Sequence, residues 1–190
     1  TIESTTIVTA RAFKKNSTPS FTASKRFDFD YIDAVSFQNA PNTPYNRNAD
    51  KCLFDGMTAS VVDLSSGWLG FSGTNVVASF SLSKSIELGM VELRFAHVPE
   101  AWVFAPSAVD VYVSSDGVDF GPATSAVITY DPASRDMNST QVVKVDVEVN
   151  KKNVKYVKLV ARNLGKIPVW HKAKGLKPWV MMDEVRLNER

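Results

Sequence analysis

Residues 142–149 read Val142-Val143-Lys144-Val145-Asp146-Val147-Glu148-Val149. Val143, Val145, Val147 and Val149 alternate with Lys144, Asp146 and Glu148, so an extended chain turns one valine face to a core and one charged face to water. The same period of two returns at 109–114, where Val109, Val111 and Val113 alternate with Asp110, Tyr112 and Ser114. It returns again at 155–161, where Val157, Leu159 and Ala161 alternate with Tyr156, Lys158 and Val160. The stretches 5–13, 76–82, 86–95 and 179–187 are rich in Val, Ile, Phe and Thr and also read as strands. No window of helical length holds a 3.6-residue apolar period. The chain is predicted to be all-β.

Between these runs lie turn signals at Asp55-Gly56, Asp116-Gly117, Asp131-Pro132 and Leu164-Gly165. About eight short antiparallel strands at this spacing suggest a β-sandwich or jelly roll. A length of 190 residues suits one such domain spanning 1–190. Its first part, 1–44, holds Pro19, Pro41 and Pro44 and reads as a leading strand with irregular loops; 45–190 reads as the sandwich core. Asp28, Asp30 and Asp33 lack the glycine and spacing of an EF-hand and read as a polar loop.

Composition narrows the function classes. Hydrophobic residues make up 44% and charged residues 22%, near globular averages. Net charge is +2, from 22 basic and 20 acidic residues mixed along the chain, so no basic stripe marks a nucleic-acid partner. No apolar run reaches the length of a membrane span, and no membrane insertion is expected. The single cysteine, Cys52, excludes an internal disulfide and reads as a small buried hydrophobe. Asn16-Ser17-Thr18 and Asn138-Ser139-Thr140 match the glycosylation acceptor pattern, which matters only in a eukaryotic secretory host. No Gly-x-Ser-x-Gly elbow, His-Glu-x-x-His, phosphate loop or dinucleotide fingerprint is present, and no enzyme activity is expected. Asp183 and Glu184 are adjacent on a predicted strand, which would send them to opposite faces and keep them from acting as a hydrolytic carboxylate pair.

A set of motifs occurs in fixed order: Leu53-Phe54-Asp55-Gly56, then Gly67-Trp68-Leu69-Gly70-Phe71-Ser72-Gly73, then the hairpin from Pro106 to Ser115-Asp116-Gly117. Pro168-Val169-Trp170-His171, Gly175, Trp179 and Asp183-Glu184-Val185 close it. Over roughly 45–190 this order resembles the discoidin, or coagulation-factor type C, superfamily. More closely it resembles the carbohydrate-binding-module-like C-terminal domains of bacterial chitobiase (β-hexosaminidase) type glycoside hydrolases. The usual Asp-Leu-Gly near the second strand is here Ser81-Leu82-Ser83. The resemblance implies a discoidin-like sandwich and a non-catalytic accessory domain that binds a glycan of N-acetylhexosamine or galactose type. It further implies a linked catalytic domain and a secreted, periplasmic or cell-surface location in a bacterium. The alternative is a structural or protein-docking sandwich without a sugar site.

Two sites follow. Calcium takes six to eight oxygens, and an Asp-Gly turn offers several from one loop. Loop 52–60 holds the Asp55 carboxylate, the Ser60 hydroxyl and the carbonyls of Cys52 and Met57, with Thr58 as a second hydroxyl. In the family a glutamate near the C-terminus completes the set, and Glu184 stands at the matching position. A structural calcium is therefore expected. Sugars lay an apolar ring face on an aromatic side chain while polar groups bond their hydroxyls. Trp179 reads as core, Trp68 as either packing or ligand contact, and Trp102, followed by Val103 and Phe104, has core as its alternative reading. His97, Trp102, Trp170 and His171, in loops, are the candidate sugar-binding set, with Arg162 and Asn163 near them in sequence.

Overall fold

The structure is a computed structural model that describes residues 6–27, 31–46 and 51–189. Contacts divide the chain into two compact units, Thr1–Asp30 and Tyr31–Arg190, where the sequence reading had grouped 1–190 as one domain. In the first unit β1 (Thr6–Ala10) and β2 (Ala23–Phe27) form an antiparallel hairpin, with Thr6 opposite Phe27 and Ala10 opposite Ala23. Its Ile7, Phe13 and Phe21 are exposed, and the Arg11 guanidinium lies over the Phe13 ring. Asp28 and Asp30 of the acidic cluster fall outside the described residues; Asp33 lies on a strand of the second unit.

The second unit holds β3 (Ile32–Phe37), β4 (Leu69–Ser72), β5 (Val76–His97), β6 (Ala108–Ser114), β7 (Thr124–Ser125), β8 (Gln141–Arg162) and β9 (Trp179–Glu189). The segments predicted as separate strands at 76–82 and 86–95 belong to one 22-residue strand, as do those at 142–149 and 155–161. β5 and β8 pair antiparallel from Val76–Ala161 to His97–Gln141. The pairing slips between Ser81 and Met90, where Asn150 and Asn153 in β8 take left-handed backbone angles (φ 50° and 58°). Asparagine tolerates that region better than other side-chain residues, and the slip bends the ribbon.

Partners change across this bend. The first half of β5 pairs with β3, and the second half of β8 with β6, which carries β7 at its edge. The second half of β5 pairs with β9, which carries β4. One ribbon thus supplies the middle of both layers of a β-sandwich. Phe37 of β3 meets Phe71 of β4 across the gap, with ring centroids 5.7 Å apart. The valines that define the 142–149 pattern are all buried, as are Phe80, Leu88, Leu93, Phe95, Leu159 and Met181. Cys52 is a buried free thiol. No helix among the described residues is long and apolar enough to cross a membrane.

Candidate functional site

Two loop regions hold the residues of interest. The first is the 51–67 segment, fastened to β9 by three consecutive residues. Met182 pairs with Phe95 and Val185 with Leu93, which leaves Arg94 opposite two residues, Asp183 and Glu184. This bulge breaks the strict alternation of the strand. Both carboxylates therefore address the same loop, and the expectation of opposite faces is corrected. Asp183 Oδ2 accepts the Ala59 N–H at 2.7 Å and the Arg94 Nη1 at 2.5 Å, and Arg94 Nη2 donates to the Ala59 carbonyl. Glu184 receives the Gly56 N–H, and the Val185 N–H donates to the Leu53 carbonyl at 2.6 Å. Inside the loop, Asp55 Oδ1 accepts the Met57 N–H, Ser60 Oγ accepts the Val62 N–H, and Trp68 Nε1 donates to the Ser60 carbonyl.

The electrostatics of this seam are unusual. Glu184 is 3% exposed and its Oε2 has no hydrogen-bond partner; Asp183 Oδ1 is likewise buried and unpartnered. Burial pushes the Glu184 carboxyl up to about 8; Asp55 and Asp183 add to the shift, and Arg186 and the Gly56 N–H oppose it. Asp183 is also raised by burial, against the Ala59 hydrogen bond and the Arg94 charge. Such a carboxylate is short of positive charge. Cys52, Asp55, Met57, Thr58 and Ser60 line one hollow of about 350 Å³, and Thr58 also lines the neighbouring one beside Glu184. Glu184 lines only the second of these hollows and the other expected ligands only the first, Thr58 being shared. Among the described residues no three of His, Cys, Asp and Glu cluster as a metal-holding group. The oxygens on offer are two carboxylates with hydroxyls and carbonyls, a hard-donor set of the kind calcium takes.

The second region lies where both ends of the β5–β8 ribbon meet. Segment 98–107 bridges them, Phe104 N–H donating to the Trp179 carbonyl and Ser107 N–H to the Arg162 carbonyl, each at 2.9 Å. Segment 163–178 packs on it through Phe104, Ile167 and Ala173, with Leu164 and Trp170 against them. Of the four residues expected to bind sugar, His97, Trp170 and His171 gather round Phe104, and Trp102 lies two residues before it in the chain. His97 is wholly buried and His171 nearly so; both stand beneath the loops, not on a ligand surface. Trp170 is half-buried, its Nε1 donating to the Ala133 carbonyl at 2.7 Å. Trp102 is 39% exposed. Its backbone is left-handed (φ 63°, ψ 22°), a rare conformation for a bulky residue. It is held by its N–H to the Pro99 carbonyl and by its own carbonyl, which accepts the Trp179 N–H, both at 2.8 Å. Exposed Val169 and Leu176 belong to the same loops, and an ion pair between Lys172 and Glu100 (3.2 Å) links them.

Other tryptophans and polar candidates serve the scaffold. Trp68 is 3% exposed, and Trp179 stacks edge-on against Tyr45. Arg162 pairs with the buried Asp110, whose carboxyl is held low first by Ser125 and then by this arginine. Asn163 shapes its own turn, bonding Asn75, Gly165 and the Pro178 carbonyl. Sequence reasoning read Phe104 as core without its place at the centre of the loop packing, and it missed the Asp183–Arg94 pair. The signal for the latter was an acid pair inside an otherwise apolar strand pattern.

No family model matches the chain, and no curated protein matches it significantly. Among solved structures it is similar to the truncated AlyQ with CBM32 and alginate lyase domains, at 12% identity and a TM-score of 0.43, over 84% of this chain and 34% of that one. The chain thus spans about a third of that protein. It is also similar to the N-terminal domain of the single-strand break repair protein XRCC1, at 15% identity and a TM-score of 0.47, over 84% and 96% of the two chains. A third is the N-terminal cellulose-binding domain of Cellulomonas fimi β-1,4-glucanase C, at 13% identity and a TM-score of 0.35, over 67% and 82%.

Proposed function

We propose that this chain is a non-catalytic glycan-binding module whose ligand stacks on Trp102 and whose 51–67 loop is stapled to β9 by calcium. The observation that carries the glycan reading is Trp102 itself. A large indole is presented to solvent from a sparsely populated backbone conformation, fixed by two main-chain hydrogen bonds. Strained, over-determined positions of this kind cost of order 1–3 kcal/mol and cluster at ligand-contacting sites. A rigid aromatic plane loses little entropy when a pyranose settles on it, and the exposed Glu100 and Lys172 are at hand for its hydroxyls. His97 and His171 leave the contact set and become supports.

Asp55, Glu184, the Ser60 or Thr58 hydroxyl and the Cys52 and Met57 carbonyls would hold the ion. Calcium would supply the positive charge that the buried Glu184 lacks, and it stabilises the fold by mass action. A weak glycan contact raises the effective concentration of a linked catalytic domain at its substrate, the role resemblance to chitobiase-type accessory domains implies for a secreted or surface enzyme.

The test is a glycan array on the chain with calcium present, repeated with Trp102→Ala. Binding of N-acetylhexosamine or galactose-type glycans that disappears in the variant supports the reading. A folded chain that binds no glycan sinks it. In that case the exposed Val169 and Leu176 of the 163–178 segment favour the docking alternative, an apolar protein partner on these loops.

A further inference from the structure

Phe104 is wholly buried, and two imidazoles from different loops pack edge-on against it, His97 at 5.5 Å and His171 at 6.1 Å between ring centroids. They use the same atom in the same way. His97 Nδ1 accepts the Ala105 N–H at 3.1 Å, and His171 Nδ1 accepts the Ala173 N–H at 3.0 Å. A ring nitrogen that accepts from a main-chain N–H carries no proton, so both rings are neutral with the proton on Nε2. At Nε2 they differ. His97 donates to the Met137 carbonyl at 2.8 Å, whereas the His171 Nε2 is buried without a partner.

The geometry points to an acid-sensitive latch: His97 is a positioning residue for the loop that carries Trp102, and protonating its ring releases that loop. A proton on Nδ1 would face the N–H it now accepts from, turning an attraction into a donor–donor clash. The bond lost is the one that fastens the turn to the ring: Ala105 lies three residues after Trp102. The new charge would also be buried against Phe104, where a desolvated imidazolium is costly.

Little on the packed segments offsets this. The charged groups there are Glu100 and Lys172, which pair with each other, Lys166, Lys174 and Lys177, and Asp131, Arg135 and Asp136 on the segment that carries Met137. Gln141, opposite His97 on β8, is uncharged. Among the described residues none of these groups forms an ion pair with either ring. Burial lowers the His97 pKa, against the Met137 carbonyl, which favours the charged ring. A histidine buried neutral favours folding above its unfolded value of about 6.5, and that contribution is lost as pH falls below it. The latch rests on Trp102 as the ligand platform for its functional meaning, but not for its test.

The test follows amide and indole N–H signals of the ligand-free chain by NMR from pH 7.5 to 4.5. The Ala105 amide and the Trp102 indole are expected to shift together, with a midpoint below about 6.5. The Trp68 indole, bonded to Ser60 in the other loop, is expected to stay still over that range. In His97→Asn the amide oxygen replaces Nδ1 as an acceptor that does not titrate. That variant should flatten the Ala105 and Trp102 curves. Two results overturn the latch: His97 ring carbons that titrate while Trp102 stays fixed, or all indoles including Trp68 moving in one global transition. No glycan is present, so a failed array and a failed latch are separate outcomes.

Discussion

Trp68 and Trp102 each stand in a loop beside a strand end, yet the chain uses them in opposite ways. Trp68 is sealed under the 51–67 loop with its indole N–H spent on the Ser60 carbonyl. Trp102 is turned outward by a left-handed backbone and keeps much of its ring in solvent. The difference lies in what the neighbouring strand offers. At the 51–67 seam, β9 presents a bulge with two carboxylates and a free N–H that draw the loop down onto it. At the other region the strand ends give main-chain hydrogen bonds that fix the loops, and aromatic packing lies beneath them at Phe104. One region is built to be closed by charge. The other holds an aromatic ring in the open on an apolar base.

The contrast breaks first where packing is removed. Trp68→Ala and Phe104→Ala each empty a buried aromatic site and should cost about 3–5 kcal/mol, read by denaturant unfolding. Equal losses at the two sites would mean that both regions rest on apolar bases of similar worth. A loss under about 1 kcal/mol at either would remove that base from the account. Next in size comes the charge at the seam. Glu184 is raised from 4.5 to about 8, so it favours the folded state fully below pH 4.5 and loses that contribution as pH rises through about 8. At about 1.4 kcal/mol per unit the loss amounts to a few kcal/mol. Without calcium, melting temperature should therefore fall between pH 5 and 8, and Glu184→Gln should flatten the curve. Added calcium should restore the wild type at pH 8 and do nothing for the glutamine variant. A melting temperature indifferent to calcium at every pH would remove the staple.

Much of the sandwich was legible because a period of two survives in any strand with one face buried. Val143, Val145, Val147 and Val149 announced β8 and are buried as expected. The bend was not legible. Two strands that look separate in sequence are continuous, because Ser83-Lys84-Ser85 and Asn150-Lys151-Lys152-Asn153 read as turn residues and the ladder passes through them with slipped register. β3 was hidden in a proline- and asparagine-rich stretch, and its own bulge at Ile32–Ala34 spoils the alternation. Motif order, which survives without knowledge of register, put the loop between Leu53 and Ser60 together with Glu184, whose carboxylate receives the Gly56 N–H. The depth of His97 and His171 was not found. A histidine beside a tryptophan reads alike whether the ring faces water or a phenylalanine below.

Function at the exposed ring should separate cleanly from stability. Trp102→Ala removes a partly exposed side chain and should lower stability by about 1–2 kcal/mol, less than Trp68→Ala, while abolishing glycan binding. Calorimetry of the two variants against the same glycan makes the comparison. A Trp102 variant that binds as well as wild type would move the platform elsewhere.

The smallest expected effect concerns the ion pair that spans the two open loops. Lys172 Nζ lies 3.2 Å from Glu100 Oε2, but the two side chains are 71% and 76% exposed. A pair this wet gains little, because water screens the attraction and both long side chains must be held still. Lys172→Ala should therefore change stability by less than about 0.5 kcal/mol. If Glu100 and Lys172 bond the hydroxyls of a ligand on Trp102, the same substitution still weakens binding, by several-fold or more. The ratio of those two numbers, from one unfolding curve and one titration, separates a surface ion pair from a pair of ligand contacts. A variant unchanged in both would leave Trp102 to act without polar help from this pair.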